Sequence, residues 1–358
     1  MIVVIIMFIM NKRSLSFVGT HKEIGIQVGE QYKKWGKKEV WIPPFAQQYI
    51  SQQLATYKKY FPLYLEYLEG IAIGLNISKD KVVASYLTGF LSFTTPKQDN
   101  KCSTFALNNK NGVMIGKNYD WRQSSELVAS LLHYDFTDKS ANSFNGITDM
   151  ATWEVGVNVP SSNFVIMTED AWNDKGLYVS LNGAPGEVSA VGMCTTHAIQ
   201  CVIEKCGSTD EAIELMSKIP LNNSKIFTIA DKSGNLSVVE KSLEKGIFIR
   251  RSRNMIFTTN HYNHQDLAEL NEWLFKNIPF HSTFVRYSYL NYYLSKLAKN
   301  LDLKDIIELM SKPPVRQNWR GKSNGDVLTI WTYGLNLSNG KYLIEFAPIL
   351  KEKDIIQN

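Results

Sequence analysis

The hydrophobic pattern of this chain changes period near residue 100. Few features constrain a fold more, because a segment patterned for helices cannot lie down as strands, nor the reverse. The first hundred residues keep a helical period. Thr20 and Glu23 form a capping box, opening a segment whose apolar positions Ile24, Val28, Tyr32 and Trp35 make one buried stripe. Gly25 and Gly29 lie one turn apart, which costs helix propensity but permits another element to come close. Pro62 starts a second helix with Leu65, Leu68, Ile71 and Ala72 inward, and Asn76 ends it. Ser78 caps a third, running through Val82, Val83, Tyr86 and Leu87 towards Phe93. The stretch Thr94 to Lys101 is polar, is broken by Pro96, and reads as an exposed connector.

From Cys102 the period shortens. Ser103 to Leu107 and Val113 to Asn118 are strand-like runs joined by the turn-rich Asn108-Asn109-Lys110-Asn111-Gly112. A strand from Gly176 to Leu181 follows the turn Asn173-Asp174-Lys175. The helical period returns from Cys194 to Lys205, and Ser208 with Glu211 makes a second capping box for a helix ending before Pro220. Lys225 to Asp231 and Leu236 to Glu240 form a hairpin around Lys232-Ser233-Gly234-Asn235. Late strands fall at Met255 to Thr259, Leu328 to Tyr333 and Tyr342 to Phe346, with helices between. These signals predict a helical segment followed by a mixed body in which helices cover sheets.

Charge and cysteine content narrow the function. The 39 basic and 34 acidic side chains leave a formal net charge of +5, scattered along the chain, which gives no footprint for nucleic acid. Cys102, Cys194, Cys201 and Cys206 form no C-x-x-C pair and no disulfide framework, which fits a reducing compartment. Residues Met1 to Met10 are apolar, but they lack the preceding positive charge and the cleavage site of a signal peptide and are too short to span a bilayer. The reading is a mis-assigned start, with Met7 or Met10 as the true one, and a cytoplasmic protein without stable membrane insertion. The alternative is an atypical export segment into a secreted or lysosome-like compartment. In that case the Asn-x-Ser sites at Asn76, Asn222, Asn235 and Asn336 would matter.

Cys102 ends the polar connector and starts a strand, and its neighbourhood carries a resemblance. Cys102-Ser103-Thr104-Phe105-Ala106, followed by Gly116-Lys117-Asn118-Tyr119-Asp120-Trp121, resembles the mature opening of one family. It is the acyl-CoA:6-aminopenicillanate acyltransferase-like hydrolases, relatives of choloylglycine hydrolase and penicillin V acylase. Gly19-Thr20-His21-Lys22-Glu23-Ile24-Gly25 is similar to the start of that family's pro-segment. Asn173-Asp174-Lys175-Gly176-Leu177 through Leu181-Asn182 resembles its N-x-K-G-L…N strand. Cys206, Thr209 and Glu211-Ala212 resemble its C…T-x-E-A helix, and Ala230-Asp231, Gly234 and Glu240 its D-x-x-G…E hairpin. Thr259-Asn260-His261 and Ser282 through Arg286-Tyr287 look like its T-N-H and S-x-x-x-R-Y elements.

The resemblance implies an α+β fold, the four-layer αββα sandwich of N-terminal-nucleophile hydrolases, preceded by a helical pro-segment. Residues 1–101 would be the pro-segment and 102–358 the hydrolase domain. It further implies self-cleavage between Lys101 and Cys102, with Cys102 as nucleophile and the freed α-amino group as its base. Asp120 would orient Cys102, Asn182 and Asn260 would donate to the oxyanion, and Arg286 would neutralise charge near the nucleophile or hold Asp120. Lys117 is a secondary candidate, because choloylglycine hydrolase-like members carry an arginine there and a lysine keeps the charge without the planar fork. Lys101 stands where the family often has glycine, which relaxes more easily into the geometry of an N-to-S acyl shift.

The expected substrate is a small N-acyl amide or an acyl thioester, handled without cofactor or metal, and the cleaved pro-segment would stay bound as a second subunit. A lipid amidase resembling acid ceramidase and an unprocessed scaffold are the rival readings. Each site residue also has a plain structural role open to it: Asp120 as a strand cap, Asn182 and Asn260 as turn residues, Arg286 as a solvated helix residue. Cys194, Cys201 and Cys206 read as small core residues, and His261 with His264 forms an H-x-x-H without a third ligand. Trp121, Trp153, Trp172 and Tyr178 read mainly as core, with an acyl pocket as their alternative use.

Overall fold

The computed structural model describes residues 13–37, 39–40, 42, 44–88, 102–122, 125, 129–149, 166–277, 282–319, 327–347 and 355–357. Met1 to Met10, Phe93, Pro96, Lys101 and Trp153 lie outside them, and so does the expected connector.

The first segment holds β1 (Ser14–Gly19), α1 (His21–Lys34), a short 3-10 turn, α2 (Ile50–Tyr60), α3 (Pro62–Leu75) and α4 (Lys79–Thr88). Local chemistry explains the boundaries. The Thr20 hydroxyl accepts the Glu23 N–H while Glu23 reaches back to the Thr20 N–H, so both halves of the capping box form. Pro62 opens α3, and Asn76 ends it in the left-handed conformation (φ 57°, ψ 48°). α1 and α3 cross backbone to backbone. A Cβ on Gly25 would stand 2.1 Å from the Tyr67 carbonyl oxygen, and one on Gly74 2.3 Å from that of Ile26.

The expectation of a purely helical first segment is corrected by β1, which pairs in parallel with β4 (Ser130–Phe136), Ser14 opposite Leu131 and Gly19 opposite Phe136. That strand joins the N-terminal segment to an eight-stranded sheet. Its order is β1, β4, β5 (Phe144–Thr148), β6 (Asp170–Asn173), β7 (Leu177–Val188), β8 (Asn223–Asp231), β9 (Leu236–Ser242), β10 (Gly246–Ser252). The second sheet runs β11 (Met255–Thr258), β2 (Ser103–Asn109), β3 (Gly112–Arg122), β13 (Val327–Asn336), β14 (Tyr342–Phe346), β15 (Ile355–Gln357), with the two-residue β12 (Asn318–Trp319) against β13.

Three apolar clusters fix the layering. Ile115, Tyr178, Ile226, Trp331 and Tyr333, from both sheets, pack face to face. The outer side of the first sheet (Val179, Leu181, Ile229) is covered by α1, α3, α4, α5 (Thr195–Lys205) and α6 (Thr209–Lys218). Phe105, Leu107 and Met114 on the outer side of the second sheet meet Leu290, Leu294 and Ile306. Those three belong to α8 (Thr283–Leu297) and α9 (Leu303–Met310), which follow the short α7 (Glu272–Asn277). Helices, sheet, sheet and helices make the four-layer αββα sandwich. Each large apolar side chain taken from water adds about 1.5–3 kcal/mol.

Smaller expectations fare unevenly. Ser208 accepts the Glu211 N–H, but the Glu211 carboxylate turns to the Gly207 N–H at 2.7 Å, so only half of that box forms. Trp172 and Tyr178 are core between the sheets, whereas Trp121 is half-buried at its margin. Asn222 and Asn336 are buried, which removes them as glycan acceptors in the folded chain.

Candidate active site

Cys102 stands one residue ahead of β2, and the β2–β3 hairpin decides its surroundings. Ser103 pairs with Asn118 and Thr104 with Lys117, so residues 117 to 120 run beside the cysteine. β13 flanks β3 on its other side and sets Thr329 opposite Asp120. The Thr329 hydroxyl donates to Asp120 Oδ1 at 2.5 Å. Across the gap between the sheets β7 presents Asn182. Its Oδ1 accepts from Thr104 Oγ1 at 2.8 Å and from Lys117 Nζ at 3.0 Å, while its Nδ2 donates to the Thr259 carbonyl at 3.0 Å. Asn260, just past β11, donates through Nδ2 to the Gly183 carbonyl at 3.0 Å.

Arg286, from the first turn of α8, ties these pieces together. Its guanidinium donates to the Cys102 carbonyl (2.5 Å), Ser103 Oγ (2.9 Å), Asn260 Oδ1 (2.8 Å) and Ser282 Oγ (3.0 Å). Lysine and arginine can only donate, so the amide atoms they touch must be oxygens and both asparagines are fixed in orientation. Each then has one N–H spent on a backbone carbonyl and a second N–H that no described residue accepts.

All of this is dry. Lys117, Asp120, Asn182 and Arg286 are fully buried, and Cys102 and Asn260 are 2% exposed. Arg286 is therefore no solvated helix residue, and Asn182 and Asn260 are no surface turn residues. Lys117 Nζ donates to Leu181 O at 2.5 Å and to Asn182 Oδ1 at 3.0 Å, and it forms an ion pair with Asp170 Oδ1 at 3.5 Å.

Electrostatics follow from burial. Burial pushes the Cys102 thiol above its ordinary value; Lys117 pulls it back, Asp120 and Asp170 add to the push, and the Asp120 backbone N–H favours the thiolate. The thiol is thus protonated at neutral pH and needs a base. Burial brings Arg286 down to about 10, against the pull of Asp120 and Cys102, and it stays cationic. Asp170 is raised by burial, with Lys117 and the Trp331 indole N–H opposing.

Asp170 is the main residue that sequence reasoning missed. It bonds Trp331 Nε1 at 3.0 Å and pairs with Lys117. The available signal was an acid opening the strand Asp170-Ala171-Trp172-Asn173, all four residues of which are buried. Ser103, Thr104 and Thr329 were missed too; only the structure brings them to the site. The other cysteines stay apart as free, buried thiols. His261 shares its Nδ1 with Thr259 and Thr283 and stacks on Phe284 at 4.1 Å, and burial lowers it to about 4. Among the described residues no group of three or more His, Cys, Asp or Glu side chains could hold a metal. No described helix is long and apolar enough to cross a membrane.

The family model for acyl-coenzyme A:6-aminopenicillanic acid acyl-transferase matches residues 107–347. The match takes in Lys117, Asp120, Asn182, Asn260 and Arg286 and begins after Cys102. Beta-alanyl-dopamine/carcinine hydrolase of Drosophila melanogaster is 25% identical over 225 residues, 55% of this chain and 55% of its own. The chain thus spans about half the length of that curated relative. Among solved structures, a variant of conjugated bile acid hydrolase from Clostridium perfringens aligns with a TM-score of 0.48 and 16% identity, over 72% of this chain and 92% of that one. Penicillin V acylase from Agrobacterium tumefaciens aligns at 0.45 and 15%, over 69% and 83%. The Caenorhabditis elegans N-acylethanolamine-hydrolyzing acid amidase ortholog aligns at 0.46 and 14%, over 66% and 93%.

Proposed function

The chain belongs to the acyl-coenzyme A:6-aminopenicillanic acid acyl-transferase family, and from that premise we propose that it cuts itself before Cys102 and uses the Cys102 thiol to cleave or transfer small linear amides. The observation that carries the reading is the pair of buried asparagines whose side-chain oxygens are held by Lys117 and Arg286. Each keeps one N–H for an incoming oxyanion, a contribution worth roughly 10²–10³ in rate per donor.

Before the cut the nitrogen of Cys102 is an amide and cannot take a proton. After it, an α-amino group with an ordinary pKa of about 7.7–8 stands on the same residue. That amine accepts the thiol proton as sulfur attacks the substrate carbonyl, and returns it to the leaving amine. The acyl group remains on Cys102 as a thioester until water, or a second amine, takes it. Asp120 and Asp170 disfavour a resting thiolate, while Lys117 and Arg286 offset the negative charge that develops. Residues 1–101 act as the pro-segment and stay bound to 102–358 as a second subunit, a reading supported by the shared core and by β1 in the main sheet.

The relative described as acting on beta-alanyl-dopamine and carcinine makes β-alanyl amides the first substrates to try. The deciding experiment is the intact mass of the purified protein with N-terminal sequencing of any smaller band. A fragment beginning Cys-Ser-Thr-Phe, absent from Cys102→Ala, is the expected result, followed by an acyl-enzyme burst. A chain that stays whole, with Cys102→Ala indistinguishable from wild type, would overturn the proposal in favour of a scaffold. Turnover of N-acyl lipids in preference to short amides would make it a lipid amidase.

A further inference from the structure

His197 lies in the first turn of α5 and is buried. Both ring nitrogens are engaged by phenols of the N-terminal segment. The Tyr57 hydroxyl, from α2, is 2.6 Å from Nδ1, and the Tyr64 hydroxyl, from α3, is 2.8 Å from Nε2. A neutral imidazole has one donor and one acceptor, so one phenol donates to the ring and the other accepts from it. The Tyr57 oxygen also takes the Cys194 backbone N–H at 3.4 Å. An imidazolium is a donor on both sides. The phenol that had donated to the ring then loses its acceptor inside the core, where an unmade hydrogen bond is costly.

Among the described residues no charge is set against the ring, which burial alone shifts, and Glu169 and Lys225, which act on the adjacent Cys194, oppose each other. α2 brings Tyr57, α3 Tyr64, α1 Tyr32, β4 Tyr134, α5 itself Cys201, and the residue capping α5 is Cys194. Burial raises all six, so all stay neutral throughout the acid range. Further along α5 the contacts to the N-terminal segment are Cys201 Sγ with the Tyr60 carbonyl at 3.4 Å, Glu204 with His21 of α1 at 2.9 Å, and Lys205 with the Tyr60 carbonyl. His197 alone in this cluster gains an uncompensated charge when the solution becomes acid.

We infer that His197 is a proton-operated latch between the N-terminal helices and the body: neutral, it ties α2 and α3 to α5; protonated, it lets them go. The latch is the same whether or not the chain has been cut at Cys102. Burial holds the closed-state imidazole down to about 3, against an ordinary 6.5 when exposed. Opening therefore takes up a proton between those values. The latch holds fully above pH 6.5 and weakens up to tenfold per pH unit as pH falls through that window.

Hydrogen exchange of the whole protein, corrected for the intrinsic pH dependence, tests this. From about pH 7 to about pH 5, opening of α2 and α3 should rise roughly tenfold or more, while β13 stays protected. In His197→Gln, which keeps a donor and an acceptor but does not titrate, the pH slope of α2 and α3 should vanish. A ring resonance for His197 in the wild type, followed by NMR, decides the matter even if that variant fails to fold. Its protonation must coincide with loss of protection in α2 and α3. Opening without pH dependence, an equal slope in β13, or a ring that titrates near its ordinary value while α2 and α3 stay closed would each overturn the inference.

Discussion

Two buried polar clusters in this molecule are built on opposite plans. In the helical layer over the first sheet, Tyr57, Tyr64 and His197 satisfy one another with no charge at all. Between the sheets and beside Cys102, Lys117, Asp170, Asp120 and Arg286 bring four ionisable groups into an equally dry place. A neutral hydrogen bond returns about 1 kcal/mol on folding, whereas burying a charge costs several kcal/mol even when it is paired. The neutral cluster is what holding two segments together requires. Charges kept in a dry site at that expense make sense where they act on a reacting group.

Substitutions can break or sharpen that contrast. Arg286→Met should be the most damaging, because it strips the cation from the Cys102 carbonyl and from Asn260 and leaves Asp120 beside an apolar chain. A loss of about 3–5 kcal/mol in urea unfolding, together with loss of the acyl-enzyme burst, is expected. A fully stable Arg286→Met would mean the charged cluster costs far less than its burial implies. Asn182→Ala should fold and lower kcat roughly 10²–10³-fold with KM little changed; steady-state kinetics on a β-alanyl amide would show it, and an unchanged kcat would remove Asn182 from the oxyanion site. Tyr57→Phe, in the neutral cluster, should cost about 1–3 kcal/mol by urea midpoint and leave kcat alone. Lys218→Ala removes an exposed ion pair with Glu214 one turn away in α6 and should leave the unfolding midpoint where it is.

What could be read beforehand follows the range of the interactions. The α1 cap and the Asn76 stop were legible because each is decided within a few residues. β1 was not: its six residues alternate weakly, and their partner strand lies more than a hundred positions along the chain. The β2–β3 hairpin was plain from its turn, whereas Lys117 and Asp120 were set near Cys102 only by the family resemblance; the register that places Lys117 opposite Thr104 came with the structure. Asp170 could not, because its partners Lys117 and Trp331 belong to the other sheet and only the face-to-face packing joins them. The second capping box shows the same limit in miniature. Ser208 and Glu211 have the right spacing, yet the neighbouring Gly207 N–H proved the better partner for the carboxylate.

β1 has one more consequence, for solubility. β4 carries Leu131, Leu132, Tyr134 and Phe136, and its outer row of backbone donors and acceptors is covered by those six N-terminal residues. A body made without them would present that row uncovered, a ready template for strand-to-strand association between molecules. The N-terminal strand therefore protects the rest of the chain from its own copies, and a truncated body starting at Cys102 would be expected to aggregate whatever its chemistry.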